Sequence, residues 1–509
     1  MNRFAQLDHQ YIWHPFTQMR DWLGREPMVI SSGKGVVLRD VNGRDYLDAN
    51  SSIWTNLHGH NHPKINAAIR RQLGKISHSS ALGFANEPAS LLAEKLIEIA
   101  NCELRIAKAK TASVRSHSPF EIRHPKLSKV FFSDDGSTAM EVALKLAYEF
   151  TRRTRGKGAK PKFLSLEGAY HGDTVGAVSA GHIDLFHKAY AGLLFKTDKV
   201  MAPYCYRCPF NRAKPERADA REYRKCNWEC TGLAEKKFAA QKKRGNPYAA
   251  LIFEPLMQGS AGMIPQPRGW LGQVTDIARN HGALLIADEV MTGFGRTGLT
   301  GDDVRSVSSK EKSKSEPPYV GSNENSLFAG QQEKVQPDFL CVAKGLTGGY
   351  LPMAATLTTQ NVFDAFLGEY AEFKTFFHGH SFTGNQLGAA AALASLEILR
   401  TEKSVRQRAA LQKNLQAGLQ TLWSLPKVGD IRQVGLVAGI ELVKDWRTRK
   451  PFSLGERAGI RVCEAMARRG VLTRPIGNVI VLMPPYGTTA EQTAKIFSAL
   501  RHSLQSVLG

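Results

Sequence analysis

Between residues 130 and 350 the chain alternates short apolar runs with helical patterns, and no other feature restricts its fold as much. The runs are KVFFSDD, KFLSLEGAY, AALIFEP, ALLIADEV and DFLCVAKG. Each is too short for a helix, rich in Val, Ile, Leu and Phe, and continuous, as strands buried on both faces of a parallel sheet are. Parallel strands need long crossovers, and the helical stretches between the runs supply them. The expectation is an α/β chain, with a large mostly parallel sheet domain and a smaller α+β domain.

The flanks complete that picture. GVVLRDVNGRDYLDAN (35–50) alternates on both sides of an Asn-Gly turn and predicts a hairpin. Beyond residue 395 come GLVAGIELV, an amphipathic helix near 455–469, a strand pair across IGNVIVL, and a last helix with Thr488 and Glu491 as a capping box. The predicted division is therefore residues 1–50 as the N-terminal part of the small domain, 51–395 as the large domain and 396–509 as the rest of the small one. Insertions are expected near 102–128 and 301–333. Part of the second, SVSSKEKSKSEPPYVGSNENS (306–326), has almost no apolar residues to offset the entropy of ordering.

Composition excludes some roles. No stretch approaches the roughly 18 uncharged apolar residues of a membrane span, and MNRFAQLDHQYIWHPF lacks the apolar core of a secretory signal. Seven cysteines make an odd number without a disulfide framework, so a reducing, cytoplasmic setting is expected. The net charge of +22 raises the question of nucleic acid. The basic residues gather around 105–129, 152–162 and 236–244 as surface turns and helix faces, without a stripe of interleaved aromatics. Neither a nucleic-acid nor a membrane partner is expected.

Ligands in open parallel sheets sit outside the carboxyl ends of the strands. Four strand ends carry chemistry. Gly136 and Ser137 open a helix whose first-turn N–H groups could receive a phosphate, with Met140, Ala143, Leu144 and Ala147 on one face and Thr138 and Glu141 as a capping box. Asp288 and Glu289 end LLIADE side by side, and strand alternation lets only one of them face a given ligand. Tyr170 and His171 lie in a glycine-rich loop, where an aromatic ring could rest on a planar group. Lys344 closes DFLCVAK. Each alone also fits a plain structural role: a helix cap, a solvated acid pair, loop packing, or a lysine stem laid over apolar surface. Together they match the needs of pyridoxal 5'-phosphate: a Schiff-base amine, an acid that keeps the ring nitrogen protonated, and a phosphate seat.

IADEVMTGFGRTG, PDFLCVAKGLTGGYLP and HGHSFTGNQLGAAAALASLEIL, taken in sequence, resemble the class III pyridoxal-phosphate aminotransferases. The resemblance implies fold type I, a homodimer, and catalytic roles for Lys344 (Schiff base), Asp288 (ring nitrogen) and Tyr170 (ring stacking). It implies Gly136 and Ser137 as phosphate ligands, with His380 and Ser381 reaching the phosphate from the neighbouring subunit. YIWHPFTQM, SSIWTNLHGHNHP and TRPIGNVIVLMPPY resemble the 7,8-diaminononanoate synthases of biotin synthesis within that class. That implies 8-amino-7-oxononanoate as amino acceptor, Arg474 as the clamp on its carboxylate, and Phe16, Ile53, Trp54 and Gly379 as the pocket wall. Phe16 and Ile53 stand where members using S-adenosylmethionine carry tyrosine and tryptophan, so either S-adenosylmethionine or lysine is the amino donor.

CYRC (205–208) and CNWEC (226–230) approach zinc-ribbon spacing. Reduced thiols are the simpler reading, and no metal is expected. The rivals are another class III ω-amino acid or diamine transaminase and, from a different class, a basic zinc- and nucleic-acid-binding protein on an inactive scaffold.

Overall fold

The structure is a computed structural model that describes residues 1–101, 126–156, 158–299 and 326–509. Seven strands form the large sheet: β1 (Leu127–Ser133), β2 (Phe163–Leu166), β3 (Asp198–Val200), β4 (Ala250–Phe253), β5 (Leu284–Asp288), β6 (Phe339–Val342) and β7 (Ala354–Thr359). Their spatial order is β1-β7-β6-β5-β4-β2-β3. From β3 through β6 every pairing is parallel. Only β7 runs against its neighbours, β6 and β1.

Both faces of the sheet are covered, which is why its strands read as unbroken apolar runs. Leu285, Ala287, Leu340 and Val342 pack on one side. Ile286, Phe339 and Cys341 pack on the other, against Met140, Ala143, Leu144 and Ala147 of α1 (Gly136–Arg155). The five runs read from sequence are β1, β2, β4, β5 and β6. The strand β7, AATLTT, lacks their apolar signature because half of it is threonine. It is nonetheless wholly buried, since Thr356 and Thr358 donate their hydroxyls to the carbonyls of Ala139 and Asp338 at 2.8 and 3.1 Å.

Strands Val37–Asp40 and Asp45–Asp48 form the predicted hairpin, with Gly43 at φ 82° in its turn. Asp45–Asp48 also pairs in parallel with Val471–Leu472, so the first fifty residues and the C-terminal part share a four-stranded sheet. A second sheet holds Val428–Val434, Val437–Asp445, Val479–Leu482 and Pro475–Ile476. The last helix, α2 (Ala490–Leu508), begins one residue later than expected: Thr489 and Gln492 make the capping box, while the Thr488 hydroxyl donates to Pro485 O at 2.6 Å.

Most of both expected insertions lies outside the described residues. Their described ends belong to the core: Leu127 and Ser128 open β1, and Leu327, Phe328 and Ala329 are at most 2% exposed. Among the described residues no helix is long and apolar enough to cross a membrane.

Candidate active site

A cleft of about 1490 Å³ opens at the carboxyl ends of the parallel strands. It is lined by Gly136, Ser137, Tyr170, Asp288, Lys344, Phe16, Ile53, Trp54 and Arg474, nine of the residues singled out in the sequence. Gly379, His380 and Ser381 are not among its walls within a single chain. His380 Nδ1 lies 3.3 Å from Asp134 Oδ2, Ser381 accepts a hydrogen bond from His78, and Gly379 faces open space.

Lys344 follows β6 in a left-handed conformation, φ 44°, and its Nζ stands 4.7 Å from the Trp54 ring centroid. Burial lowers its proton affinity below that of an ordinary lysine, and Asp288 and Glu254 counteract this only in part. Asp288 continues the face of β5 that carries Ile286, and its Oδ2 lies 2.8 Å from His171 Nδ1. Glu289, one residue on, points away. It accepts the N–H groups of Ala329 and Gly330 at 2.6 and 2.8 Å, and burial pushes it up to about 7. The adjacent acids thus divide as strand alternation requires.

Gly136 and Ser137 are the first residues of α1, but the cap is not the expected Thr138–Glu141 pair. Asp135 is the N-cap and forms a capping box with Thr138. Its backbone is extended, and its side-chain oxygen accepts the Thr138 N–H at 3.0 Å. Glu141 instead receives the N–H groups of Gly176 and Ala177. Two glycines permit close packing here. A Cβ on Gly136 would lie 2.7 Å from Val290, and one on Gly172, φ 121°, would lie 2.1 Å from Ser137 Oγ. The loop of Tyr170 is therefore held against the first turn of α1 at Gly172 and at Asp173, whose N–H donates to Ser137 Oγ at 3.2 Å. The Tyr170 hydroxyl donates to Asp173 at 2.7 Å, the ring lies nearly parallel to His187, and burial with the neighbouring carboxylate raises the hydroxyl's pKa.

The rim is organised by backbone. Ser51, Ser52, Ile53 and Trp54 all have φ between 47° and 68°, a left-handed turn that L-residues adopt only when the surroundings enforce it. Asp48 enforces it, accepting the N–H groups of Asn50 and Ser52 and the Ser52 hydroxyl. Burial pushes the Asp48 carboxyl up, and hydrogen bonds from His60 and Ser52 outweigh that and leave it below its ordinary value. The turn presents Ile53 and Trp54 to the cleft. Phe16 faces them from the N-terminal segment, edge-on to Phe186. Arg474 is exposed and makes no ion pair or hydrogen bond among the described residues.

Two residues were missed by the sequence reading. His171 was noted only as a neighbour of Tyr170, because its partner Asp288 is 117 positions away. Glu254 ends AALIFEP, and the strand-end rule that selected Asp288 applies equally to it. Burial, with Asp288 adding to it, pushes Glu254 up to about 7 against the pull of His171 and two N–H donors.

The four cysteines of 205–230 come close enough that Cys205 and Cys230 feel the charges of the others, and burial pushes these two up to about 12 and about 11. All four are free thiols. Among the described residues no group of three or more His, Cys, Asp or Glu is placed to hold a metal ion.

Amine, carboxylate, helix N-terminus and aromatic ring at the mouth of one mostly parallel sheet define a pyridoxal-phosphate-dependent transferase of fold type I. The chain belongs to the class III aminotransferases, whose family pattern, described as Aminotransferase class-III, matches residues 20–302 and 324–504. It is 43% identical over 502 residues to the adenosylmethionine-8-amino-7-oxononanoate aminotransferase of Geobacter sulfurreducens, covering 99% of this chain and 97% of that protein. The crystal structure of the enzyme of that name from Methanocaldococcus jannaschii is similar at TM-score 0.81, with 37% identity and 99% of each chain covered. An omega transaminase from Pseudomonas jessenii in complex with PMP aligns at TM-score 0.81 with 27% identity, again over 99% of each chain.

Proposed function

We propose that the protein aminates 8-amino-7-oxononanoate to 7,8-diaminononanoate in biotin synthesis, taking the amino group from S-adenosylmethionine or lysine. The observation that carries this reading is the polarity of the cleft. A half-buried amine, Lys344, lies at its floor, the apolar side chains of Trp54, Ile53 and Phe16 form the wall, and the guanidinium of Arg474, without an ion pair among the described residues, stands at the rim. Such a cleft suits a molecule with a reacting ketone towards one end, an aliphatic middle and a carboxylate at the other.

The residues present fit pyridoxal 5'-phosphate. A lysine with lowered proton affinity, a carboxylate fixed by a histidine, and a twenty-residue helix with its N-terminus in the cleft supply the three contacts it requires. When bound, that cofactor supplies an electron sink that makes the proton on the donor's amine-bearing carbon removable. Lys344 Nζ would hold the cofactor and, as a free amine, would accept and return that proton. Its lowered proton affinity keeps a usable share of free amine for both tasks. Asp288, oriented by His171, would be the partner of the ring nitrogen, and its negative charge would favour the protonated state there. The first-turn N–H groups at Gly136 and Ser137 would hold the phosphate, aided by the favourable end of the α1 dipole.

Assembly completes the site. Leu82, Phe84, Tyr370, Phe373, Phe377 and Phe382 are each at least 59% exposed. Bonds from Asn86 to Gly384 and from Asn385 to Ser77 tie the segment of Leu82 and Phe84 to the one that follows Phe382. Large apolar side chains in one such region mark an interface, and a two-fold dimer through it would bring His380 and Ser381 to the partner's cleft. The division into a large domain, 51–395, and a small one formed by both chain ends agrees with the sheet shared by Asp45–Asp48 and Val471–Leu472. Free thiols suit a cytoplasmic setting.

Incubating the enzyme with pyridoxal 5'-phosphate, 8-amino-7-oxononanoate and either donor should yield 7,8-diaminononanoate by mass spectrometry. Turnover of ω-amino acids or diamines without that product would reject the assignment in favour of the broader transaminase reading. Borohydride reduction and peptide mapping should tag Lys344.

A further inference from the structure

Four titratable groups meet at the floor of the cleft, and the chemistry above uses three of them: Lys344, Asp288 and His171. The fourth, Glu254, is 5% exposed and lines the same cleft. Its Oε2 accepts the Gly259 N–H at 2.8 Å and its Oε1 the Tyr170 N–H at 3.3 Å. Gly259 is packed so closely that a Cβ there would lie 2.5 Å from Met291 Sδ and 3.5 Å from Trp54. The carboxylate is thus clamped between the loop that carries Tyr170 and the turn that touches Trp54. The charges facing it come from other elements: His171 after β2, Asp288 at the end of β5, and Lys344 after β6. Arg296 faces Lys344 as well and opposes its protonation.

A lysine that serves both as nucleophile and as proton carrier must gain and lose a proton in each turnover. With Asp288 engaged by a cationic ring nitrogen, its charge is largely spent. Of the two carboxylates that face Lys344 among the described residues, Glu254 then remains to balance Arg296 and burial. On the reading that Lys344 carries the cofactor, we propose that Glu254 is a positioning residue whose negative charge holds the proton on the Lys344 nitrogen while its oxygens fix Tyr170 and the Gly259 turn. The sign follows from its own ionisation, which lies near about 7. As pH rises through that value Glu254 becomes charged, and the Lys344 nitrogen keeps its proton to a higher pH than it otherwise would.

The visible absorbance of the full-length, cofactor-loaded enzyme, followed across pH, reports the protonation of that nitrogen independently of turnover. Glu254→Gln preserves shape and an acceptor for Gly259 while removing the charge, and its midpoint should fall by about one unit relative to the parent. Glu254→Asp keeps the charge but withdraws it by one methylene, so its midpoint should lie between the two. An E254Q protein that titrates with the parent overturns the proposal, as does an E254D protein displaced as far as E254Q. Where E254Q does not retain cofactor, E254D against the parent decides: a lower midpoint supports the role and an unchanged one overturns it. A parent without a titrating band would overturn the assignment of Lys344 itself, and this proposal with it, a result distinct from a normal parent matched by E254Q.

Discussion

At the floor of the cleft Asp288, Glu254 and His171 are at most 5% exposed, and each carboxylate is tied to a histidine or to backbone N–H groups. At the rim Phe16 is 59% and Ile53 43% exposed, and Arg474 projects into solvent. The floor obtains its properties from burial: desolvation lowers the proton affinity of Lys344 and raises that of Glu254. The rim cannot use desolvation, and its geometry comes from backbone conformation, the left-handed turn of Ser51–Trp54 that Asp48 holds. Electrostatic effects are large where water is excluded and small where it is not. The difference supports the proposal that reaction chemistry belongs to the floor and substrate choice to the rim.

Changes at the floor should lower kcat, and changes at the rim should act on KM or on the choice of substrate. Lys344→Ala should have the largest effect, a loss of about 10^4-fold in kcat with the fold retained by circular dichroism, because it removes both the covalent anchor and the base. Asp288→Asn should lower kcat by about 10^2- to 10^3-fold, the usual scale for one preorganised charge, measured as initial rates at saturating substrate. Arg474→Ala should reduce kcat/KM for 8-amino-7-oxononanoate by about 10- to 100-fold, mostly through KM, as expected for a lost charge-assisted carboxylate contact. Ile53→Trp combined with Phe16→Tyr should move the ratio of rates with S-adenosylmethionine and lysine towards the former by about two- to ten-fold, the scale of one aromatic contact. A floor variant that raised only KM, or an Arg474 variant that lowered only kcat, would break the division between the two regions.

Much of this was legible before any coordinates. The unbroken apolar runs announced strands covered on both faces, and the residues closing those runs included Lys344, Asp288, Gly136 and Tyr170, all of which line one cleft. Local capping was legible only to within a few positions. Asp135 rather than Thr138 caps α1, and Thr489 rather than Thr488 caps α2, because which of several adjacent oxygens meets the first free N–H depends on the incoming backbone. The strand β7 escaped notice because its threonines satisfy their hydroxyls on carbonyls distant in sequence.

By itself the sequence determined the strand-helix alternation and the kinds of side chain that close each strand, since periodicity and residue type are local properties written along the chain. Only the tertiary structure decided that Asp288 and not Glu289 turns into the cleft, that His171 stands against Asp288, and that Glu254 ionises near neutrality. Those outcomes depend on which distant groups become neighbours and on how completely water is excluded around them, and neither the pairing nor the exclusion exists until the sheet has closed.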